Sequence, residues 1–384
     1  MKPSAAKLFL AFLRLGLTAF GGPAMVAYIG DTAVKRRGWL SAASFEDGVA
    51  LCQSIPGATA MQTAAYVGLR AGGPLGALAA FVGFGLPAFV LMLILSAVYQ
   101  EGRELSPVVS AFRGLHVVVV ALVANAALNF GLRSVRNWRD AVLAAGAAAF
   151  LMLHGSPIIA IAAAAAVALL FYRGIVLPDG QGHAATDGGR RSLGFAALLA
   201  AGVAAGAIVL FFLDSTLFAL ATLMMKIDLF AFGGGFASVP LMLHEVVDVR
   251  GWLDSKTFMD GIAMGQVTPG PIVITATFVG YQVAGLLGAT VGTVGIFAPS
   301  LLVALVTVPY FDRLRHSLLF RRAVRGVLAT FVGLLLAVSV SFAVVIPWSI
   351  PAVILAAAAF VALRLKVDIL WVVAVGAGIS ILIL

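Results

Sequence analysis

Charge is the scarcest commodity in this chain: only 11% of its 384 residues are Asp, Glu, Lys or Arg, against 62% hydrophobic, and the mean hydropathy is +1.09. A soluble protein carries about 25% charged residues. With so few, the chain has no means of covering a surface that faces water, which points to an integral membrane protein. Cysteine is nearly absent as well. The single Cys52 excludes an internal disulfide and any multi-cysteine metal site. Strand-like alternation is missing while Ala, Leu and Gly abound, so helices are expected rather than a barrel. There is no GxSxG, Walker A or HExxH motif, and the five histidines, His116, His154, His183, His244 and His316, are scattered. No cofactor, metal or enzymatic chemistry is expected. The net charge of +9 comes from cations lying between apolar runs, which suits orientation in a bilayer rather than nucleic-acid binding.

What the chain does have is the same text twice. Phe20-Gly21-Gly22 returns as Phe232-Gly233-Gly234, and Arg37-Gly38-Trp39-Leu40 as Arg250-Gly251-Trp252-Leu253. Phe45, Asp47, Gly48, Ala50, Gln53, Pro56 and Gly57 return as Phe258, Asp260, Gly261, Ala263, Gln266, Pro269 and Gly270. Thr63, Gly68, Gly76, Gly83 and Pro87 match Thr275, Gly280, Gly288, Gly295 and Pro299, and Arg113-Gly114 matches Arg325-Gly326. Duplication within an apolar chain marks many secondary transporters. Three regions follow: a first repeat over 1–172, a polar linker and an unpaired helix over 173–215, and a second repeat over 216–384.

Apolar runs near the ~20 residues of a spanning helix give thirteen expected crossings. The first repeat has 5–22, 44–71, 72–99, 107–132, 137–153 and 156–172. Helix 193–213 has no counterpart. The second repeat has 216–234, 257–282, 284–308, 319–345, 351–364 and 367–384. The first helix is read as retained, since Arg14 interrupts its apolar run and no clear cleavage site follows. Six crossings plus one turn the second copy upside down relative to the first. If 44–71 were a re-entrant hairpin instead, this count would make the copies parallel. Loop charge supports the inverted count. Seventeen Lys and Arg fall on the N-terminal side and four, Lys35, Arg36, Arg37 and Arg103, on the other, while the remaining four of the 25 lie within spans. The bias places the N-terminus inside and the C-terminus outside.

Candidate functional residues follow from the repeat. Pro56-Gly57 and Pro269-Gly270-Pro271 interrupt matched apolar segments, because proline removes a donor and glycine permits unusual backbone. A helix restarting after such a break aims unpaired N–H groups at the gap, an anion site in the making; a simple kink is the plain alternative. Gly21, Gly22, Gly233 and Gly234 end the first helix of each copy, through close packing or through backbone approach to a substrate. Gln53 and Gln266 fall one turn before each break, placed either to donate to an oxyanion or to bond freed carbonyls. Arg14 matches Lys226 and Arg113 matches Arg325. Cations within spans are functional candidates, with snorkelling to an interface as the alternative. Asp47 and Asp260 are matched acids that could pair with those cations, carry a proton or complement a helix dipole. Asp228 has no acidic mate, since Gly16 stands in its place. The small residues of Gly72-Gly73-x-x-Gly76 could pack within a subunit or between copies, so a homo-oligomer is open.

With Phe-Gly-Gly-Pro at 20–23, Phe-Gly-Gly-Gly at 232–235 and Gln-x-x-Pro-Gly at 53–57 and 266–270, the chain resembles the chromate ion transporter superfamily along essentially its whole length. The resemblance implies a long-chain, two-domain transporter of the bacterial inner membrane that extrudes chromate using the proton-motive force, with sulfate or another oxyanion as the alternative substrate. The residues fit on their own terms: helix ends, amides and a few cations suit a tetrahedral dianion. An anion channel along the same path is the competing reading; a membrane chromate reductase lacks any cofactor motif.

Overall fold

The computed structural model describes residues 3–20, 23–102, 105–173, 189–310 and 316–383. Among the described residues the protein is all helical, with fifteen α-helices and a single β-bridge between Pro56 and Phe232. The first half comprises α1 (Ala5–Thr18), α2 (Pro23–Gly30, prolonged by a π-helical 31–36), α3 (Ala42–Ser54), α4 (Thr59–Gly102), α5 (Ser106–Ser134), α6 (Trp138–Met152) and α7 (Pro157–Phe171). α8 (Gly189–Leu213) stands alone. The second half repeats the series as α9 (Ser215–Phe230), α10 (Ser238–Met242, prolonged by a π-helical 243–249), α11 (Ser255–Val267), α12 (Thr275–Thr307), α13 (Leu318–Val345), α14 (Ile350–Arg364) and α15 (Ile369–Ile383). Even the helix starts are duplicated. Ser41 and Asp254 accept the amides of Ser44 and Thr257, and Asn137 and Ser349 those of Asp140 and Ala352, each filling a vacancy left at a helix N-terminus.

Five helical stretches, 59–102, 108–134, 190–213, 272–310 and 318–345, are long and apolar enough to cross a membrane, and three shorter apolar helices accompany them. The chain is therefore a multi-pass membrane protein. Two of the five stretches are bent double. α4 turns at Gly73, where φ is +73°, and Gly68 then lies against the carbonyl of Gly76 with no room for a Cβ. α12 turns at Ala284-Gly285, and Gly280 meets Gly288 in the same way, with the Thr277 and Thr293 hydroxyls 2.7 Å apart. A straight helix would hold residues eight apart about 12 Å from each other; these pairs touch because the chain reverses. Gly72 and Gly76 receive the side chain of Leu8 on α1, so this small-residue face is used within the chain.

The expectation that 44–71 forms one broken crossing is corrected. Tyr66 donates to the carbonyl of Ser44 at 2.8 Å, its ring fills the space over Gly48, and Thr59 Oγ1 reaches the carbonyl of Cys52. Residues at the two ends of a broken crossing would lie a membrane apart. Here α3 and the 59–72 arm of α4 run antiparallel as a hairpin, with Pro56-Gly57 at its tip. In the second half Gly261 lies against Phe278 and Gly265 against Thr275, so α11 and the start of α12 form the matching hairpin around Pro269-Gly270. The first helix of each copy is also followed by a short helix that folds back on it. Phe12 stacks on Trp39 with ring centroids 6.4 Å apart, and Lys226 on α9 reaches Glu245 beyond α10. α1 with α2, and α9 with α10, are thus hairpins too. Trp39 packs on the core face of α1.

Candidate functional site

The tips of these hairpins meet. The N–H of Gly57 donates to the carbonyl of Ala231 at 2.8 Å, and the N–H of Gly270 donates to the carbonyl of Ala19 at 3.1 Å. Each Pro-Gly loop therefore bonds the end of the first helix in the opposite half. Pro56 bridges Phe232, Gly234 faces Thr59, and Gly235 packs against Ile272. The two N–H bonds are reciprocal between the halves. Gly57 and Gly270 both sit at φ +120°, a conformation that only glycine adopts without strain. Unwound backbone in an apolar surrounding must find partners within the protein, since each unsatisfied group costs several kcal/mol. The two halves satisfy one another.

At every tip a helix restarts: α2 at Pro23, α4 at Thr59, the 3-10 turns at Gly235 and Ile272 leading into α10 and α12. None has an acidic residue in its first turn. Four positive dipole ends thus start at the junction with no carboxylate on their own first turns to neutralise them. Gln266 adds a buried amide whose Nε2 has no partner.

Of the expected site residues, Pro56, Gly57, Gly233, Gly234, Pro269 and Gly270 come together. Gly233, at φ +90°, is covered by the ring of Phe130 and by Leu328, which marks a close helix approach. Gly21 and Gly22 lie outside the described residues. Gln53, unlike its mate, is exposed on α3. The cations do not join the tips. Arg14 and Arg113 are exposed. Lys226 is held by Glu245 at 2.5 Å. Arg325 is bound by both oxygens of Asp140, at 3.1 and 2.9 Å, over the ring of Tyr172, whose hydroxyl donates to the same carboxylate at 2.5 Å. Of the matched acids, Asp47 is half-buried. Asp260 is buried in a triad, accepting from Tyr99 Oη at 2.7 Å with His116 Nε2 at 2.6 Å from its other oxygen.

Sequence reasoning missed His116, Tyr99, Glu245 and Asp140 as partners, and Gln62 and Ser300 altogether. None of these falls at a matched motif, so duplication gave no signal for them. The pairing of Asp260 with His116 is long-range and leaves no trace in local spacing.

A family model described as Chromate transporter matches residues 6–170 and 218–381, one segment in each half. The chain belongs to the chromate transporter family. It is a long-chain member, a transporter and not an enzyme. It is 44% identical over 382 residues to an uncharacterized transporter of Methanocaldococcus jannaschii, covering 100% of this chain and 95% of that one. It is 31% identical over 390 residues to a chromate transport protein of Pseudomonas aeruginosa (94% and 86% covered), and 32% over 333 residues to one of Cupriavidus metallidurans (85% and 80%). No solved structure matches. The tip junction is where the duplicated motifs converge and where four helix N-termini start.

Proposed function

We propose that this transporter exports chromate, or a related tetrahedral oxyanion such as sulfate, across the inner (plasma) membrane by alternating access between two inverted halves, driven by the proton-motive force. The observation that carries the reading is the reciprocal tip junction, Gly57 to Ala231 and Gly270 to Ala19, with four helix N-termini around it. The anion is held by backbone N–H groups and the Gln266 amide rather than by a side-chain cation, because Lys226 and Arg325 are already paired and Arg14 and Arg113 are exposed and do not join the tips. Charge and four-oxygen geometry are nearly shared by chromate and sulfate, so the site admits both.

The topology follows from the hairpins. Arms of 13 or 14 residues, such as α3 and α1, are about 20 Å long, enough to enter a ~30 Å core and return. With two re-entrant hairpins per half, the second arm of α4, α5, α6, α7 and α8 cross before the second half begins. Five crossings are odd, so the halves are inverted although 44–71 is a hairpin. The charges agree better with this count than with thirteen crossings. Lys35, Arg36 and Arg37 return to the N-terminal side, and among the described loop cations Arg250 and Lys256 alone are left on the other. Such a bias sets the N-terminus in the cytoplasm.

Purified protein in proteoliposomes, given labelled chromate with sulfate as competitor under imposed pH gradients, tests this. Saturable uptake that sulfate reduces and the gradient drives is the expected result. Large unitary currents in a planar bilayer would replace the transporter by an anion channel.

A further inference from the structure

One group at the junction is left unused by the oxyanion path. Asp228 on α9 is 1% exposed. Its Oδ1 accepts from Ser300 Oγ at 3.0 Å, and that hydroxyl accepts the N–H of Ala58 at 2.9 Å. Its Oδ2 has no partner. Gln62, fully buried on α4, donates through Nε2 to the carbonyl of Pro56 at 2.5 Å, and its Oε1 likewise has no partner. Ser300 Oγ and Gln62 Nε2 both lie against Gly57. Three side chains from α9, α12 and α4 thus gather around one unwound loop, carrying two orphan acceptors and no orphan donor. The matched place in the other half is apolar: Gly16 replaces Asp228, Ala88 replaces Ser300, and Gly270 rests on the Ala88 methyl.

The charges around Asp228 do not neutralise it. Lys226 on the same helix is engaged by Glu245. α12 carries no Asp, Glu, Lys, Arg or His, only Tyr281 in its first arm, and α10 and the 55–58 loop carry no titratable group. Beyond α10 stand His244, Glu245 and Asp248; α8 contributes Arg190 and Arg191 at its start, and α4 contributes Tyr66, Arg70, Tyr99 and Glu101. None of these is bonded to Asp228. A bare carboxylate in such a place costs several kcal/mol, and orphan acceptors lack a donor. A proton supplies both needs.

We infer that Asp228 is the proton-binding group of the transport cycle, protonated while the junction is closed and dry, and ionised when the 56–58 loop opens it to water. The inference rests on the transport reading above for its role, though not for the site itself. The carboxylate takes up one proton from the side to which it opens and releases it on the other; no bond other than O–H is made or broken.

Infrared difference spectra of the protein in liposomes, recorded across a pH step without any oxyanion, address the site directly. A carboxylic acid C=O band is expected, lost in Asp228→Asn and shifted in Ser300→Ala, which keeps the carboxyl but removes its hydroxyl partner. An unchanged spectrum in both variants overturns the assignment. In flux assays Asp228→Asn should keep oxyanion exchange and lose pH-gradient-driven accumulation. Retained accumulation, or accumulation driven by a sodium gradient in place of the pH gradient, also overturns it. Should the unsubstituted protein move no oxyanion, the transport reading fails while the infrared result still decides the proton site.

Discussion

The two halves of this molecule have the same helices, hairpins and tip glycines, yet they bury them differently. Every residue of α11 from Phe258 to Gln266 is buried, while on α3 Glu46, Ala50 and Gln53 are exposed. Asp260 is closed over by His116 and Tyr99 from the first half. In the first hairpins, Lys226 meets Glu245 across the second, whereas Arg14 is exposed and Thr32 stands in the place of Glu245. There Asp31 turns to Lys35 and Arg36, beside a cavity of about 220 Å³ lined by Leu15, Thr18 and Tyr28. The framework is shared and the enclosure is unequal: the α11 hairpin is packed on all sides, and the α3 hairpin keeps an exposed face. The scaffold is shared, and the positions that differ between the copies decide which half holds polar partners.

Matched substitutions can break that comparison. The largest gap is expected at the arginines. Arg325→Ala strands the fully buried Asp140 and should cost about 3–5 kcal/mol, whereas Arg113→Ala at an exposed site should stay within about 0.5 kcal/mol. Thermal unfolding in detergent of the two variants measures the gap, and equal shifts would show that the network around Asp140 is not structural. At the tips the halves should instead respond alike. Gly57→Ala and Gly270→Ala both force a side chain into φ +120°, at about 1–3 kcal/mol of strain, and both meet occupied space; oxyanion flux should fall in each. A loss confined to one half would remove the reciprocity of the junction. Next comes Tyr99→Phe, which deletes one hydrogen bond to buried Asp260 and should destabilise by about 1–3 kcal/mol, a shift readable by the same unfolding assay. The smallest effect on folding is expected from the glutamines. Gln266→Ala should weaken oxyanion uptake and Gln53→Ala less so, as a concentration series of initial rates would reveal; the reverse order would move the anion contact to α3.

Much of this was legible from residues. The duplication, the helix 193–213 without a counterpart, the Pro-Gly interruptions and the family resemblance could all be read from the letters. The hairpins could not. A 28-residue apolar stretch with Pro-Gly in it has the same composition whether the chain continues or returns, and only a contact such as Tyr66 with Ser44 separates the two. The fate of the cations was hidden for a related reason. Arg325 and Asp140 are bonded across 185 positions, and their neutralisation depends on how α13 packs on α6. Asp228, by contrast, stands out in the letters as a mismatch with Gly16, although its bond to Ser300, 72 positions away, does not.

The crossed hydrogen bonds at the tips also constrain how the protein is made. Chains are synthesised from the N-terminus, and the partner of the Gly57 N–H, the carbonyl of Ala231, emerges only after α8 has been built. Until then the first half holds an unwound loop whose polar backbone has no protein acceptor, in an apolar surrounding that offers no water. The first half therefore waits, incompletely folded, for the second, which brings the missing acceptor on the same chain at an effective concentration that no separate chain would match.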